Sequence, residues 1–356
     1  MSEDIHLMKG NEAIAEAAIR AGCGAYFGYP ITPQNELITY MAVNMPPKGR
    51  VFVQAESEVA AINMVFGAAS SGARAMTSSS SPGVSLKQEG ISYLCGADLP
   101  AVVVNVARAG PGLGGIAPAQ GDYFQSTRGG GHGDYHTIVL APKSVQEAAD
   151  ITYEAFDLAD HYRIPVLVLA DGLLGQMMET VRFPAPKDPA SLPKKSWAVG
   201  HQARDGRAEG NHISSMNLDP PSLELEVLAR EKHYDLIKKE LCRYEELQVE
   251  DADLIIVAYG TSARVSTSTV EAARAKGLKV GLFRPITLWP FPYERLNALA
   301  VKGRRFLSVE MSMGQMVEDV RLAVNGKAPV EHYGRVGGVI HNEEEVLAAV
   351  ERMLGA

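Results

Sequence analysis

The chain has 356 residues, 46% of them hydrophobic and 21% charged, and a formal net charge of -8. That length exceeds the usual single domain, so two domains with a real core are expected. The acidic balance leaves no basic excess to neutralise phosphates, which excludes a nucleic-acid surface, and no apolar run is long enough to span a bilayer.

The first half alternates between two periodicities. Ala13 to Arg20 is alanine-rich and amphipathic, a helix expected to stop at Gly22 and Gly24. Ala25 to Tyr29 reads as a short buried strand cut off by Pro30, and Val51 to Gln54 as a second strand. A helix from Glu58 to Ser71, a strand from Ala73 to Thr77 and a helix from Val84 to Cys95 follow. Ala101 to Val106 is apolar except for Asn105, as suits a strand covered on both faces. Ile138 to Leu140 and Val166 to Leu169 are further strands, separated by a helix from Ser144 to Tyr162. Such alternation argues for a parallel α/β sheet.

Past Phe183 the texture changes. Residues 184–222 are rich in Pro, Gly, Ser and charge, which suits a linker over the surface. Leu223 to Leu247 is expected as one charged helix, its acidic and basic residues alternating around Leu236, Ile237 and Leu241. A second α/β unit starts at Asp253, with strands at Leu254 to Val257, Lys279 to Phe283 and Phe306 to Glu310. Gly260 opens a helix through Ala275, and Pro285, Pro290 and Pro292 mark a rigid turn. The expected domains are 1–183 and 253–356, joined by 184–252.

Cys23, Cys95 and Cys242 lie far apart. Without a CxxC pair the chain offers no zinc or iron–sulfur motif, and a disulfide framework is excluded as well; a reducing cytoplasm fits. The acidic start at Met1-Ser2-Glu3-Asp4 lacks the apolar core of a signal peptide.

In an open parallel sheet, ligands bind beyond the carboxyl ends of the strands. Four unusual segments take that position: Tyr29-Pro30-Ile31-Thr32-Pro33, Gln54 to Glu58, Ser78 to Gly83, and Arg108 to Gly112. Together they would line one rim. Glu58 begins a helix among small apolar residues, so it serves either chemistry or the positive end of the helix dipole, and Glu56 competes with it. Thr32, between two prolines, presents a fixed hydroxyl; Thr32-Pro33 also reads as an N-cap followed by proline at the first helical position. Ser80, Ser81, Pro82 and Gly83 are small enough to let a ligand approach backbone amides. Arg108 would place a guanidinium at the rim, for a carboxylate ligand or for a neighbouring acid. The glycine-rich stretches 110–115 and 129–133 fit neither GxGxxG nor a Walker loop. His132, Asp134 and His136 lack further metal ligands, and Gly121-Asp122 falls short of a diphosphate–magnesium motif because Tyr123 follows. No metal site is assigned to the chain.

These residues have a familiar order. Gly10-Asn11-Glu12-Ala13, Tyr29-Pro30-Ile31-Thr32-Pro33, Glu56-Ser57-Glu58, Thr77 to Leu86 and Arg284-Pro285-Ile286-Thr287-Leu288-Trp289-Pro290 resemble the alpha-type subunit of the 2-oxoacid:ferredoxin oxidoreductases, most of all its 3-methyl-2-oxobutanoate (2-oxoisovalerate) branch. The resemblance implies an α/β fold class: a thiamine diphosphate-binding, pyrimidine-type parallel-sheet domain plus a transketolase C-terminal-like α/β domain. It implies oxidative decarboxylation of a branched-chain 2-oxoacid to acyl-CoA, with ferredoxin as electron acceptor. Glu58 matches the glutamate that hydrogen-bonds the aminopyrimidine ring, Thr32 the threonine near the substrate, and Arg108 the arginine that meets its carboxylate. Ile31 lies beside them against the substrate side chain, and Pro30, Ser80, Ser81, Pro82 and Gly83 are expected around the cofactor. The family further implies a beta subunit holding the diphosphate and Mg2+, with gamma and ferredoxin-like subunits and 4Fe–4S clusters outside this chain. A 2-oxoglutarate:ferredoxin oxidoreductase is the main rival; its second substrate carboxylate would want another cation, for which Lys87 or Arg128 could serve. An arylpyruvate enzyme, a non-catalytic scaffold and a flavodoxin-like nucleotide module also stay open at this point. The flavodoxin-like module would need a phosphate loop where Pro30-Ile31-Thr32-Pro33 stands.

Overall fold

A computed structural model describes residues 4–199 and 211–356. Part of the expected linker, 200–210, lies outside these residues, as do residues 1–3 at the acidic start. In chain order the first strands are β1 (Ile5–Lys9), β2 (Ala25–Gly28), β3 (Val51–Gln54), β4 (Ala75–Ser79), β5 (Ala101–Ala107), β6 (Ile138–Leu140), β7 (Pro165–Asp171) and β8 (Met178–Arg182). Then come β9 (Tyr244–Leu247), β10 (Leu254–Val257), β11 (Val280–Pro285), β12 (Thr287–Trp289), β13 (Arg305–Glu310) and β14 (Val330–Gly334).

Seven strands form the larger sheet, in the order β12-β6-β7-β5-β4-β2-β3. All neighbours run parallel except β12, which joins β6 antiparallel. Every residue of β5 and β7 is buried, because helices cover both faces at the sheet centre. The helix Val145–Tyr162 is amphipathic, and its start is capped by Ser144, whose Oγ accepts from Glu147 N at 3.1 Å. A second sheet has the order β14-β13-β10-β11-β9, parallel except at β9. Its strands obey the two-residue period: Ile255 and Val257 join the main core, while Leu254 and Ile256 pack under the helices Gly260–Ala275 and Glu343–Leu354. One continuous apolar core thus runs from Ile14 of the first unit to Phe306 of the second. The strands β1 and β8 form a separate antiparallel pair that sequence periodicity does not reveal.

The charged stretch past residue 223 differs from expectation. The helix runs Pro220–Glu240, opened by Asp219 with proline at its first positions, and its expected tail becomes β9. The tail pairs antiparallel with β11, and ion pairs to distant residues hold it there. Arg284 on β11 donates to Glu245 Oε2 at 2.8 Å, and Arg295 donates to Glu246 Oε1 at 2.6 Å. Those partners lie far along the chain, so helical periodicity carries no trace of them. The proline-marked turn likewise holds β12, which leaves its own unit to extend the larger sheet. No described helix is long and apolar enough to cross a membrane.

Candidate active site

The parallel neighbours β3, β2, β4 and β5 end at one edge of the larger sheet. The four rim segments emerge there, at the carboxyl ends of the strands where an open parallel sheet leaves room for a ligand. The helix Glu58–Ser70 begins at that edge, with Ser57 Oγ accepting from Ala60 N at 3.2 Å. Because Ser57 does the capping, the Glu58 carboxylate is free to turn toward the neighbouring helix, and it is only 6% exposed. It abuts Gly83: a Cβ there would lie 2.6 Å from Glu58 Oε1 and 2.1 Å from Ser79 Oγ. Glycine is therefore required at 83 by close approach, not by backbone conformation.

Ser78 to Gly83 is not one loop. Ser78 and Ser79 finish β4, and Ser81 starts the helix Ser81–Gly96 with Pro82 in its first turn. Ser78 Oγ lies 2.6 Å from Tyr26 Oη and 2.6 Å from Gln34 Oε1. Ser81 is occupied within the protein: its Oγ donates to Asp122 Oδ2 at 2.5 Å and accepts from Arg108 N at 2.9 Å. Asn105, the polar residue inside β5, donates to the same Asp122 oxygen at 2.8 Å and accepts from Ser81 N at 3.1 Å. Burial raises the Asp122 pKa, against the lowering effect of Ser81 and Asn105. By contrast Ser79 Oγ and Ser80 Oγ are buried and have no partner. Two buried hydroxyls left unpaired at the mouth of a sheet call for a ligand.

Arg108 is 8% exposed and held from two sides, Nη1 donating to Thr32 O at 2.8 Å and Nη2 to Leu113 O at 3.0 Å. Its Nε is buried without a partner. Thr32 and Arg108 thus stand together, and the first turn of the helix Ser81–Gly96 touches both Arg108, through Ser81, and Glu58, through Gly83. Thr32 does not cap a helix. The Thr32–Pro33 peptide is cis, the helix starts at Asn35, and Gln34 takes the N-cap position. Asn11 Nδ2 and Gln176 Nε2 both hold Pro33 O, at 2.8 and 2.9 Å, so the early Gly10-Asn11-Glu12 segment fixes this loop. The Thr32 hydroxyl accepts only a 3.3 Å contact from Asn35 Nδ2. Ile31 is half-buried and Pro30 exposed beside it.

The two cations considered for a second substrate carboxylate are engaged elsewhere. Lys87 is fully buried and donates to Thr77 Oγ1 at 2.7 Å and Ser78 O at 2.9 Å. Burial pulls its pKa down to about 7. Arg128 donates to Asp319 Oδ1 at 2.9 Å, on the helix Met316–Val324. His136 stacks on Trp289 at 4.6 Å and meets Tyr234 edge-on, which makes it packing between the units. Among the described residues no group of three or more His, Cys, Asp and Glu is placed to hold a metal ion.

Sequence reading missed Asn105, Asp122 and Gln120 as parts of the site's frame. Gln120 fastens the Arg108 loop to the second unit: its Oε1 accepts from Ser262 Oγ at 2.6 Å and Met311 N at 2.9 Å, and its Nε2 donates to Tyr259 O at 2.9 Å. A polar residue in the apolar run Ala101 to Val106 was the one available signal, for Asn105.

Comparison with known proteins gives the family. Residues 16–250 match the family described as pyruvate flavodoxin/ferredoxin oxidoreductase, thiamine diphosphate-binding, and 252–346 match pyruvate:ferredoxin oxidoreductase core domain II. The ketoisovalerate oxidoreductase subunit VorB of Methanothermobacter thermautotrophicus is 53% identical over 98% of both chains. The 2-oxoglutarate synthase subunit KorA of the same organism is 36% identical, over 99% of this chain and 100% of its own. A solved 2-oxoglutarate:ferredoxin oxidoreductase from Magnetococcus marinus, with 2-oxoglutarate, coenzyme A and succinyl-CoA bound, gives a TM-score of 0.84 at 28% identity; the match takes in 98% of this chain and 65% of that one. A split-gene transketolase, an inactive beta4 tetramer, shares the fold with a TM-score of 0.57 at 13% identity, over 98% of both chains. With the rim segments all inside the thiamine diphosphate-binding match, the chain belongs to the pyruvate flavodoxin/ferredoxin oxidoreductase family.

Proposed function

We propose that this chain is the alpha-type subunit of a thiamine diphosphate-dependent 2-oxoacid:ferredoxin oxidoreductase acting on a branched-chain 2-oxoacid. The observation that carries the assignment is the buried Glu58 carboxylate against Gly83, at the mouth of a sheet where Ser79 Oγ and Ser80 Oγ lack partners. The residues present fit the pyrimidine part of the cofactor. A side chain at 83 would fill the approach, and the two hydroxyls are unspent.

Bound there, thiamine diphosphate supplies a carbon nucleophile and an electron sink. Glu58 holds and yields a proton at a nitrogen of the pyrimidine ring. Pro30, Ser80, Pro82 and Gly83 surround the ring, whereas Ser81 serves by fixing the first helical turn. Arg108, already oriented by two carbonyls, receives the 2-oxoacid carboxylate with its free Nε. Thr32 offers its hydroxyl beside the 2-oxo group, and Ile31 contacts the apolar branch. Since Lys87 is enclosed and Arg128 paired, neither is spare for a second carboxylate. That favours 2-oxoisovalerate over 2-oxoglutarate, in line with the 53% and 36% identities to the VorB and KorA subunits.

The active site is completed by partners. Tyr29, Val59, Leu86, Leu113 and Ile116 leave 38–79% of their surface exposed around the rim, an apolar collar suited to a covering subunit. In this proposal a beta subunit brings Mg2+ and the diphosphate site, and gamma and ferredoxin-like subunits bring 4Fe–4S clusters that pass electrons to ferredoxin, with coenzyme A taking the acyl group. The free cysteines suit the reducing cytoplasm in which we place the complex.

The test is co-purification with the partners and comparison of 2-oxoisovalerate, 2-oxoglutarate and pyruvate by ferredoxin reduction. Highest kcat/KM is expected for 2-oxoisovalerate, with no turnover by the chain alone. Glu58→Gln should assemble yet lose roughly 100- to 10,000-fold in kcat. Turnover by the isolated chain, or near-normal turnover of that variant, refutes the assignment.

A further inference from the structure

Gly121-Asp122 falls short of a diphosphate motif, yet Asp122 ties two of the rim segments together. It takes the N-cap place of the helix Tyr123–Thr127 without capping it. Its side chain turns the other way, and Oδ2 accepts from Ser81 Oγ at 2.5 Å and from Asn105 Nδ2 at 2.8 Å. The residues on either side are clamped by the second unit. Gln315 Nε2 donates to Gly121 O at 2.7 Å, and Phe124 N donates to Gln315 Oε1 at 2.8 Å. Tyr123 Oη donates to Asp319 Oδ2 at 2.6 Å. Asp122 is thus a fixed post at the rim.

What it fixes is the Ser81 hydroxyl. β4 pairs with β5 as far as Ser79, opposite Asn105. Past that point Ser81 Oγ takes the place of a strand and accepts from the Arg108 amide at 2.9 Å. The same oxygen lies 3.2 Å from Arg108 O. A hydroxyl has one proton to give, and it rotates to suit its acceptor. Given to Asp122, that proton leaves a lone pair for the Arg108 amide. Without Asp122 the proton would go to Arg108 O, and the hydroxyl would rotate off the amide. A short bond to a carboxylate is the stronger of the two, so Asp122 decides which way the hydroxyl points.

We propose that Asp122 is a positioning residue for Arg108: it orients the Ser81 hydroxyl that receives the Arg108 amide, and so fixes where the guanidinium meets the 2-oxoacid carboxylate. This rests on the proposed role of Arg108. The tip of that side chain is held by Thr32 O and Leu113 O. The atom left for the substrate is Nε, the guanidinium nitrogen nearest the backbone. Its place follows the main chain of residue 108, which Ser81 and Asp122 hold. Asp122 itself needs no contact with substrate.

The assembled complex is assayed by ferredoxin reduction with whichever 2-oxoacid it turns over fastest. Asp122→Ala and Ser81→Ala should each raise KM about 10-fold, the low end of what a hydrogen bond to a charged group is worth, with kcat little changed. Asp122→Asn keeps a carbonyl oxygen for both donors and should stay near wild type. Arg108→Gln raises KM by itself, and adding Asp122→Ala to it should raise KM no further. A crystal structure of the cofactor-free Asp122→Ala complex should show the Arg108 side chain displaced from Thr32 O. An unchanged KM for Asp122→Ala, an arginine superimposed on its wild-type place, or an equal rise in both backgrounds overturns the role of Asp122. So does an Asp122→Asn variant as impaired as Asp122→Ala. If Arg108→Gln leaves KM unchanged, the carboxylate clamp fails first. Failure of both Asp122→Ala and Ser81→Ala to assemble makes the pair a folding unit and overturns the proposal equally.

Discussion

Gly83→Ala separates close approach from every other reason to keep a glycine. The residue sits in the first turn of a helix and is absent from the positive-φ glycines, so alanine suits its backbone. On propensity alone the change would stabilise the helix by about 1 kcal/mol. The added methyl, however, would lie 2.1 Å from Ser79 Oγ and 2.6 Å from Glu58 Oε1. The Ser79 hydroxyl can rotate away. Glu58 must retreat by about 1 Å to restore an ordinary contact near 3.5 Å. Misplacement of that size at a reacting centre typically costs on the order of 100-fold in rate, equivalent to ~2.7 kcal/mol. The expected phenotype is thus a well-folded, assembled complex with kcat for 2-oxoisovalerate lowered roughly 100-fold. Steady-state ferredoxin reduction measures the rate, and thermal melting checks the fold. Ser79→Ala in the same chain should not restore activity, because the clash with Glu58 persists. Unimpaired turnover of Gly83→Ala would show that the position of the Glu58 carboxyl does not matter to catalysis.

Three further outcomes are expected. Arg108→Lys should raise KM for the 2-oxoacid about 10- to 100-fold, the worth of a charge-assisted hydrogen bond, and should affect kcat less; a KM within twofold of wild type contradicts a carboxylate clamp. Arg284→Met should lower stability to urea by about 3 kcal/mol, since the buried guanidinium holds both oxygens of Glu147 and also Glu245; an unchanged midpoint counts against the triad. His341 is 1% exposed, neither of its nitrogens has a partner, and burial lowers its pKa to about 4. A histidine depressed in the folded state contributes stability above the unfolded value near 6.5, and that stability is lost as pH falls toward about 4. His341→Phe should therefore remove about 2 kcal/mol of the stability lost between pH 7 and pH 5, measured by denaturant titration; equal acid sensitivity in both proteins disproves it.

Much of the architecture was legible because parallel strands buried on both faces leave apolar runs that no other element needs. Ala101 to Val106 and Leu254 to Val257 are such runs, and each is a strand. The rim was legible because it follows those strands by rule. What escaped was whatever depends on partners distant in sequence. Tyr244–Leu247 pairs with β11 through Glu245 and Glu246, against a helical pattern that continues into it. Thr32 looked like a cap, yet Asn11 and Gln176 hold the next carbonyl and the helix begins two residues after Pro33. For Ser81, expected beside the cofactor, spacing gave no sign that Asp122 and Arg108 hold its hydroxyl. Local spacing identified which residues stand at the rim; it could not say which of their polar atoms remain free.

The exchange of β12 bears on how the molecule comes apart. Thr287 to Trp289 lies beyond the first unit in sequence but closes the edge of its sheet, and Trp289 lies over His136. Cutting the polypeptide in the 184–252 stretch would thus strip a strand from the amino-terminal piece and bare the outer hydrogen-bonding groups of β6 to water. Heating should accordingly give a single calorimetric endotherm in place of two. Neither half could swing as a hinged body without first breaking that ladder, so approach of substrate falls to the loops and to the neighbouring subunits.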